Sequence, residues 1–172
     1  AGNYQKVLEN SQIILKKIPN NSFLLNLIGM AYQGLFQYQK SVLFFRDAIR
    51  NEKNNKAAMN NLANSLKAIG EYQESEQLYE KILKLDHEYI NAYNNFANLK
   101  ISFNDYEGAI LLMEKAINIC KEKNKNSLDL MFSLASSYLS INEINKSKDL
   151  IQKILKEKSD HVGAHKLYST IL

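Results

Sequence analysis

A pattern of large, small and aromatic positions recurs along this chain at a nearly fixed interval, and that interval limits the possible folds more than any other feature. The copies centre on Leu25, Met59, Tyr93, Met131 and His165, whose numbers differ by 34, 34, 38 and 34. An interval of about 34 residues fits a unit of two short helices, each unit covering one neighbour's apolar side and exposing its own to the next.

Taking Ser22, Lys56, Ile90, Leu128 and Val162 as the first position of each unit gives every residue a repeat position. Position 7 is large (Ile28, Leu62, Phe96, Leu134, Tyr168) and position 8 small (Gly29, Ala63, Ala97, Ala135, Ser169). A knob beside a hole lets two helices approach closely, so position 8 is expected to be buried. Later in the unit, position 17 is Tyr38, Tyr72, Tyr106 or Ile144, and position 20 is Ser41, Ser75, Ala109 or Ser147. Position 24 is Phe45, Tyr79, Met113 or Ile151, and position 27 is Ala48, Ile82, Ala116 or Ile154. These positions form an apolar stripe at helical spacing. Two helices per unit follow.

The pattern resembles the tetratricopeptide repeat, whose signature runs from a large residue through Leu-Gly/Ala-x-x-Tyr to a small residue, an aromatic, an alanine and a closing proline. Tyr32 and Tyr138 match the signature tyrosine, whereas Leu66 and Lys100 depart from it; the closing proline is kept only as Pro19, with His87 in its place later. The resemblance covers essentially the whole chain. It implies an all-α, right-handed α-solenoid of stacked antiparallel helix pairs. One proline and 6 glycines suit such a chain, because both residues are costly inside helices.

Read in order, residues 1–172 form one array. Residues 1–21 are a half repeat, the second helix only; 22–55, 56–89, 90–127 and 128–161 are full repeats; 162–172 is a half repeat, the first helix only. The third repeat carries a four-residue insertion in Lys121-Glu-Lys-Asn-Lys-Asn-Ser127, expected to lengthen its second helix through Lys123. Half repeats at both ends lead to the expectation of a piece of a longer protein. They also lead to an expected head-to-tail self-association, with Leu167, Tyr168 and Ile171 of one copy against Tyr4, Val7 and Leu8 of the next, bridging from Leu172 to Ala1.

Charge and cysteine content narrow the function classes. The formal net charge is +4, but the 22 basic and 18 acidic residues are interspersed. Lys53, Lys56, Lys121, Lys123 and Lys125 sit largely in inter-repeat turns, whereas nucleic-acid binding needs a continuous basic strip with stacking aromatics, so nucleic acid is not an expected partner. No apolar run approaches the roughly 18 residues of a membrane span, so no membrane contact is expected. The single Cys120 cannot form an internal disulfide and no signal peptide is visible, so a cytoplasmic location is expected.

No nucleophile–base pair, carboxylate pair or phosphate-binding glycine loop is present, so the chain is not expected to be an enzyme or to hold a cofactor. His161 and His165 have the spacing of a helical metal pair, but no third ligand stands nearby except Asp160, which reads better as an N-cap, and no metal site is expected. The informative residues lie at positions 2, 5, 6, 9, 12 and 13, which in the resembled family line the concave groove. Asparagine dominates there, with Asn60, Asn61 and Asn64 in one unit, Asn94, Asn95 and Asn98 in the next, and Asn26 and Asn91 adjoining. Codon bias in an Asn-, Lys- and Ile-rich chain explains part of this. Placement argues for more, because asparagine is a mediocre helix former and yet recurs mid-helix on one face. A carboxamide donates and accepts together, so it can pair with a peptide group without reading side chains. The arrangement resembles the asparagine ladder of O-GlcNAc transferase repeat arrays, which implies peptide held lengthwise. Phe23 and Met30 at one end of the face and Phe132 at the other are candidate side-chain pockets or, equally, contacts with a neighbouring helix or another chain. The family's other mode, a cationic clamp for a chaperone's terminal carboxylate, is absent because its positions hold Phe23, Asn26, Ala57, Asn60, Asn61, Asn91, Asn94 and Asn95.

These residues lead to the expectation of a non-catalytic protein–protein interaction module that holds an extended peptide or partner segment. The alternative is the substrate-binding region of a larger glycosyl- or sulfotransferase whose catalytic domain lies outside this chain.

Overall fold

The computed structural model describes residues 2–171, and every regular element among them is a helix. In order these are α1 (Gly2–Leu15), α2 (Ser22–Gly34), α3 (Tyr38–Asn51), α4 (Lys56–Ala68), α5 (Tyr72–Leu85), α6 (Ile90–Ser102), α7 (Tyr106–Glu122), α8 (Leu128–Ser140), α9 (Ile144–Glu157) and α10 (Val162–Ser169). The chain divides into two compact units, Ala1–His87 with α1 to α5 and Glu88–Leu172 with α6 to α10. Ala1 and Leu172, the bridging residues of the expected self-association, lie outside the described residues.

Local chemistry sets the helix limits. The Leu24 and Ala58 amides donate to the side chains of Asn21 (2.8 Å) and Asn55 (2.9 Å), satisfying N–H groups that the first turns of α2 and α4 leave unpaired. Asp105 does the same for Gly108 at the start of α7 (2.9 Å). At α10 the cap is not Asp160. His161 Nδ1 accepts from the Ala164 amide at 3.0 Å, because His161 is the residue with extended backbone next to the first turn.

Within each repeat the two helices are joined by one turn used four times. Position 15 is left-handed in every copy, with φ of 58° at Phe36, 89° at Gly70, 59° at Asn104 and 63° at Asn142. The next amide reaches back to the carbonyl five residues earlier: Gln37 to Tyr32, Glu71 to Leu66, Asp105 to Lys100 and Glu143 to Tyr138, at 2.9 to 3.0 Å. That bond closes a Schellman motif and reverses the chain within three residues. The insertion of the third repeat is absorbed in the same way one turn later. Helix α7 has 17 residues against 14 in α3, α5 and α9, and ends in its own left-handed residue, Asn124, with the Lys125 amide bonded to the Cys120 carbonyl at 2.8 Å.

The small positions mark where paired helices touch. Gly29, Ala63, Ala97 and Ala135 are buried, and so are the position-24 residues Phe45, Tyr79, Met113 and Ile151. In two repeats a buried serine at position 20 fastens the contact: Ser75 and Ser147 donate to the carbonyls of Ala63 and Ala135, each at 2.8 Å. Ala109 takes that position in the third repeat and packs without a hydroxyl. Ser169, at position 8 of α10, is exposed, since no described helix follows to cover it.

The core of the first unit is a chain of clusters. Leu8, Leu24, Ile28 and Ala31 join α1 to α2, Leu25, Ala48 and Ala58 join α2 to α4 by way of α3, and Val42, Phe45, Leu62 and Leu66 join α3 to α4. In the second unit Met131, Ala135, Ile151, Ile154 and Ala164 bind α8, α9 and α10 together.

Candidate functional site

In the first unit the asparagine face lies on α2 and α4. Asn61 donates from Nδ2 to Asn26 Oδ1 at 3.1 Å, a rung between equivalent faces of adjacent repeats, and Asn26 Nδ2 lies 3.7 Å from Met30 Sδ. Gln33 Nε2 donates to Ser65 Oγ at 3.0 Å and borders the same rung. Phe23 and Met30 stand in solvent, Phe23 at 75% exposure. Two members of the ladder have structural duties. Asn64 Oδ1 accepts from the hydroxyl of fully buried Tyr79 at 2.7 Å, and Asn60 is itself buried and not without a partner. Asn26 and Asn61 are half exposed, and the rung leaves Asn61 Oδ1 as a further acceptor.

The second unit has its own face on α6 and α8. Asn91 and Asn98 are exposed, Asn94 and Asn95 half-buried. Phe132 is half-buried, its ring centroid 5.3 Å from that of His161, and a Cβ on Gly163 would come within 2.9 Å of the Phe132 ring. A side chain at position 163 would push the tip of the Phe132 ring aside. Beside Phe132 opens a cleft of about 260 Å³ lined by Ile101, Tyr106, Ser133, Ser136, Ser137 and Ser140. Ser136, Ser137 and Ser140 each donate to the carbonyl four residues back, at 3.0 to 3.1 Å, so their oxygens keep lone pairs for accepting. These serines were missed as site residues in sequence. Three of the four, Ser133, Ser136 and Ser140, occupy positions 6, 9 and 13 of the inner face, where the repeat numbering alone was the available signal.

Among the described residues the titratable groups do not gather into a catalytic constellation. Burial pushes the Cys120 thiol up, with Lys125 pulling weakly the other way, so the sulfur stays protonated and inert. Tyr138 is pushed up to about 12, chiefly by burial and then by donating to Glu114. His161 caps α10 and His165 Nε2 bonds the Ser159 carbonyl at 2.7 Å, so each ring already has a local partner. Among the described residues no group of three metal-ligating side chains occurs, and no helix is long and apolar enough to cross a membrane. Two of the turn lysines are bound locally, Lys56 to Asp86 at 2.6 Å and Lys123 to Glu88.

Helix hairpins of one design, fastened by the same small contacts and presenting one recurrent face, define a repeat scaffold. Two models described as tetratricopeptide repeat match the chain, one over residues 55–122 and the other over residues 24–55. The chain belongs to the tetratricopeptide repeat family. Solved structures agree on the fold of an all-α solenoid of helix pairs. The C-terminal part of a TPR repeat-containing protein from Cytophaga hutchinsonii is 17% identical, with 98% of this chain and 65% of that one covered and a TM-score of 0.82. A thermophilic TPR protein of Thermus thermophilus is 12% identical over 99% of this chain and 91% of that one, with a TM-score of 0.78. MamA from Desulfovibrio magneticus RS-1 is 16% identical over 87% and 82%, with a TM-score of 0.74. No curated protein matches the sequence. The family's class of function is that of a protein-interaction scaffold.

Proposed function

We propose that this scaffold holds an extended peptide segment along its first-helix faces, by hydrogen bonds from carboxamides to the peptide backbone, and that it is non-catalytic. The observation that carries this reading is the Asn61–Asn26 rung at 3.1 Å. It ties equivalent faces of two repeats and leaves Asn61 Oδ1 as an acceptor beside it. Asn91, Asn94, Asn95 and Asn98 repeat the chemistry on α6, and the Ser133–Ser140 stretch of α8 adds acceptors. Phe23, Met30 and Phe132 supply apolar contact for occasional side chains. Asn60 and Asn64 contribute by shaping the face, since both are engaged inside the protein.

Backbone recognition has a signature that side-chain recognition lacks. A library of peptides in alanine-rich frames is titrated by fluorescence anisotropy, and each binder is remade with alternate amides N-methylated. Removal of one neutral hydrogen bond costs about 0.5–1.5 kcal/mol, so several methylations should weaken binding at least tenfold. The Asn26→Ala, Asn61→Ala, Asn91→Ala, Asn98→Ala variant should lose a similar factor and keep its helical circular dichroism. Asn64 is left intact because its loss would take a hydrogen-bond partner from the buried Tyr79 hydroxyl. Binding that ignores both N-methylation and the quadruple substitution would refute the reading.

A further inference from the structure

We propose that the first-helix face of the Ala1–His87 unit selects for a carboxylate: Asn64 Nδ2 and Lys67 Nζ, one turn apart on α4, together receive the side chain of an Asp or Glu within the held segment. The site deepens the peptide-holding role and rests on the reading that a segment lies along this face. It is not the cationic clamp that the sequence lacks, since Asn64 stands at position 9 and Lys67 at position 12.

The protein sorts the two ends of the Asn64 carboxamide. Its Oδ1 accepts from the Tyr79 hydroxyl at 2.7 Å, and Tyr79 is fully buried on α5, so the acceptor end is held inside. The other end, Nδ2, donates to no group among the described residues. Lys67 follows three residues later, the spacing at which side chains on a helix are neighbours. It is half-buried and has neither a hydrogen bond nor an ion pair among the described residues.

Charge on this face has one sign. Helices α2 and α4 carry no aspartate or glutamate, and α2 carries no lysine or arginine either. Of the two lysines on α4, Lys56 is paired with Asp86 at 2.6 Å, which leaves Lys67. The nearest acid in sequence, Glu71, is exposed at the start of α5 and does not pair with it. Burial lowers the Lys67 pKa from the ordinary lysine value, and no carboxylate counteracts the lost hydration. A charge partly withdrawn from water without a partner is unfavourable, and an arriving anion relieves it. An ammonium beside an amide NH₂ suits a carboxylate, whose two oxygens can accept from both at once. A cationic side chain would meet a like charge instead. Asn61 and Lys67 are six residues apart on α4. That is about 9 Å along the helix axis, which an extended segment crosses in about three residues. The preferred acid therefore lies within about three residues of the backbone N–H that Asn61 accepts.

The test uses capped alanine-rich peptides that carry one Asp at successive positions, each beside its Asn counterpart, titrated against the protein by fluorescence anisotropy. The measured quantity is the affinity ratio within each Asp–Asn pair, so a general change in affinity cancels. At one register the Asp peptide should bind about fivefold tighter or more, as for a charge-assisted hydrogen bond to a half-buried group. The ratio should fall to about one in Lys67→Met, which keeps the apolar stem. It should fall likewise in Asn64→Asp, which keeps an acceptor for Tyr79 and gives Lys67 a partner inside the protein. Lys67→Glu should turn the preference toward a Lys peptide. Helical circular dichroism checks that each variant is folded. Equal binding of Asp and Asn at every register, or a preference that survives Lys67→Met, would overturn the proposal. Weakening by N-methylation without any Asp preference overturns the carboxylate site and leaves backbone pairing in place. A Lys67-dependent Asp preference that ignores N-methylation does the reverse, and absence of binding by every peptide overturns both.

Discussion

Replacing Gly29 by alanine probes a close helix approach in the first unit. A Cβ at Gly29 would lie 2.5 Å from Phe45 Cε1, 2.6 Å from Cδ1 and 3.0 Å from Cζ. Carbon atoms pack at about 3.5 Å or more, so ring or helix must yield by about 1 Å. The ring has no easy escape, because Phe45 is fully buried. Overpacking of this kind costs about 1–3 kcal/mol, whereas alanine gains about 1 kcal/mol over glycine inside a helix. The single variant should therefore lose up to about 2 kcal/mol, a figure that mixes two opposing effects. A double-mutant cycle separates them. Phe45→Leu removes the obstructing edge and is destabilising alone, but in the double variant the clash is gone and the alanine gain remains. The two changes should couple favourably by at least about 1 kcal/mol. Urea unfolding of the four proteins, followed by far-ultraviolet circular dichroism, measures the coupling. Additivity within about 0.3 kcal/mol would refute the close approach and the register that places Gly29 opposite Phe45.

Two further outcomes are expected. Phe36→Gly should raise the melting temperature by an amount corresponding to about 1 kcal/mol, because a left-handed phenylalanine, 76% exposed, carries a backbone cost that glycine does not; an unchanged or lower melting temperature would show that its edge contact with Tyr38 outweighs the strain. Tyr138 has its hydroxyl pushed up from 10.0 to about 12, so its contribution to stability is full below pH 10 and is lost as the pH rises from there through 12. Tyr138→Phe should flatten the alkaline fall of the urea midpoint in that window, and an identical slope in both proteins would rule out the contribution.

The fold was legible because its determinants are local and repeated. Position 8 shows a hole, position 24 a large residue and position 20 a small one, and in the first four units each of them is buried. The smallest hole, Gly29, faces the bulky ring of Phe45, a correspondence visible in the residue types alone. Turn chemistry was half legible. Gly70, Asn104 and Asn142 announce a left-handed residue, but Phe36 does not, and only the backbone reveals that the repeat geometry forces it there. The cap of α10 was misplaced because Asp160 and His161 are both capable acceptors one residue apart, and backbone direction decides between them. Side-chain duties on the inner face were the least legible. Asn64 looks like its neighbours in sequence, yet its oxygen serves a hydroxyl that arrives from 15 residues later.

The bonded state of the asparagines changes what peptide binding has to achieve. A mid-helix asparagine costs about half a kcal/mol or more relative to the best helix formers, and the Asn61–Asn26 bond offsets part of that cost in the free protein. A bound peptide that broke this bond would regain one hydrogen bond by losing another, for almost no net affinity. A peptide that kept it would meet a preorganised pair, with Asn61 Oδ1 ready to accept a backbone N–H and one rotamer already fixed. The rung is therefore more useful intact than displaced, and it sets the register in which backbone groups can be read. Each unit carries apolar side chains near its polar face: Phe23 and Met30 in the first, Phe132 beside the serine cleft in the second. In the proposed peptide-holding role, backbone pairing would supply tolerance of sequence and the apolar residues would supply selectivity.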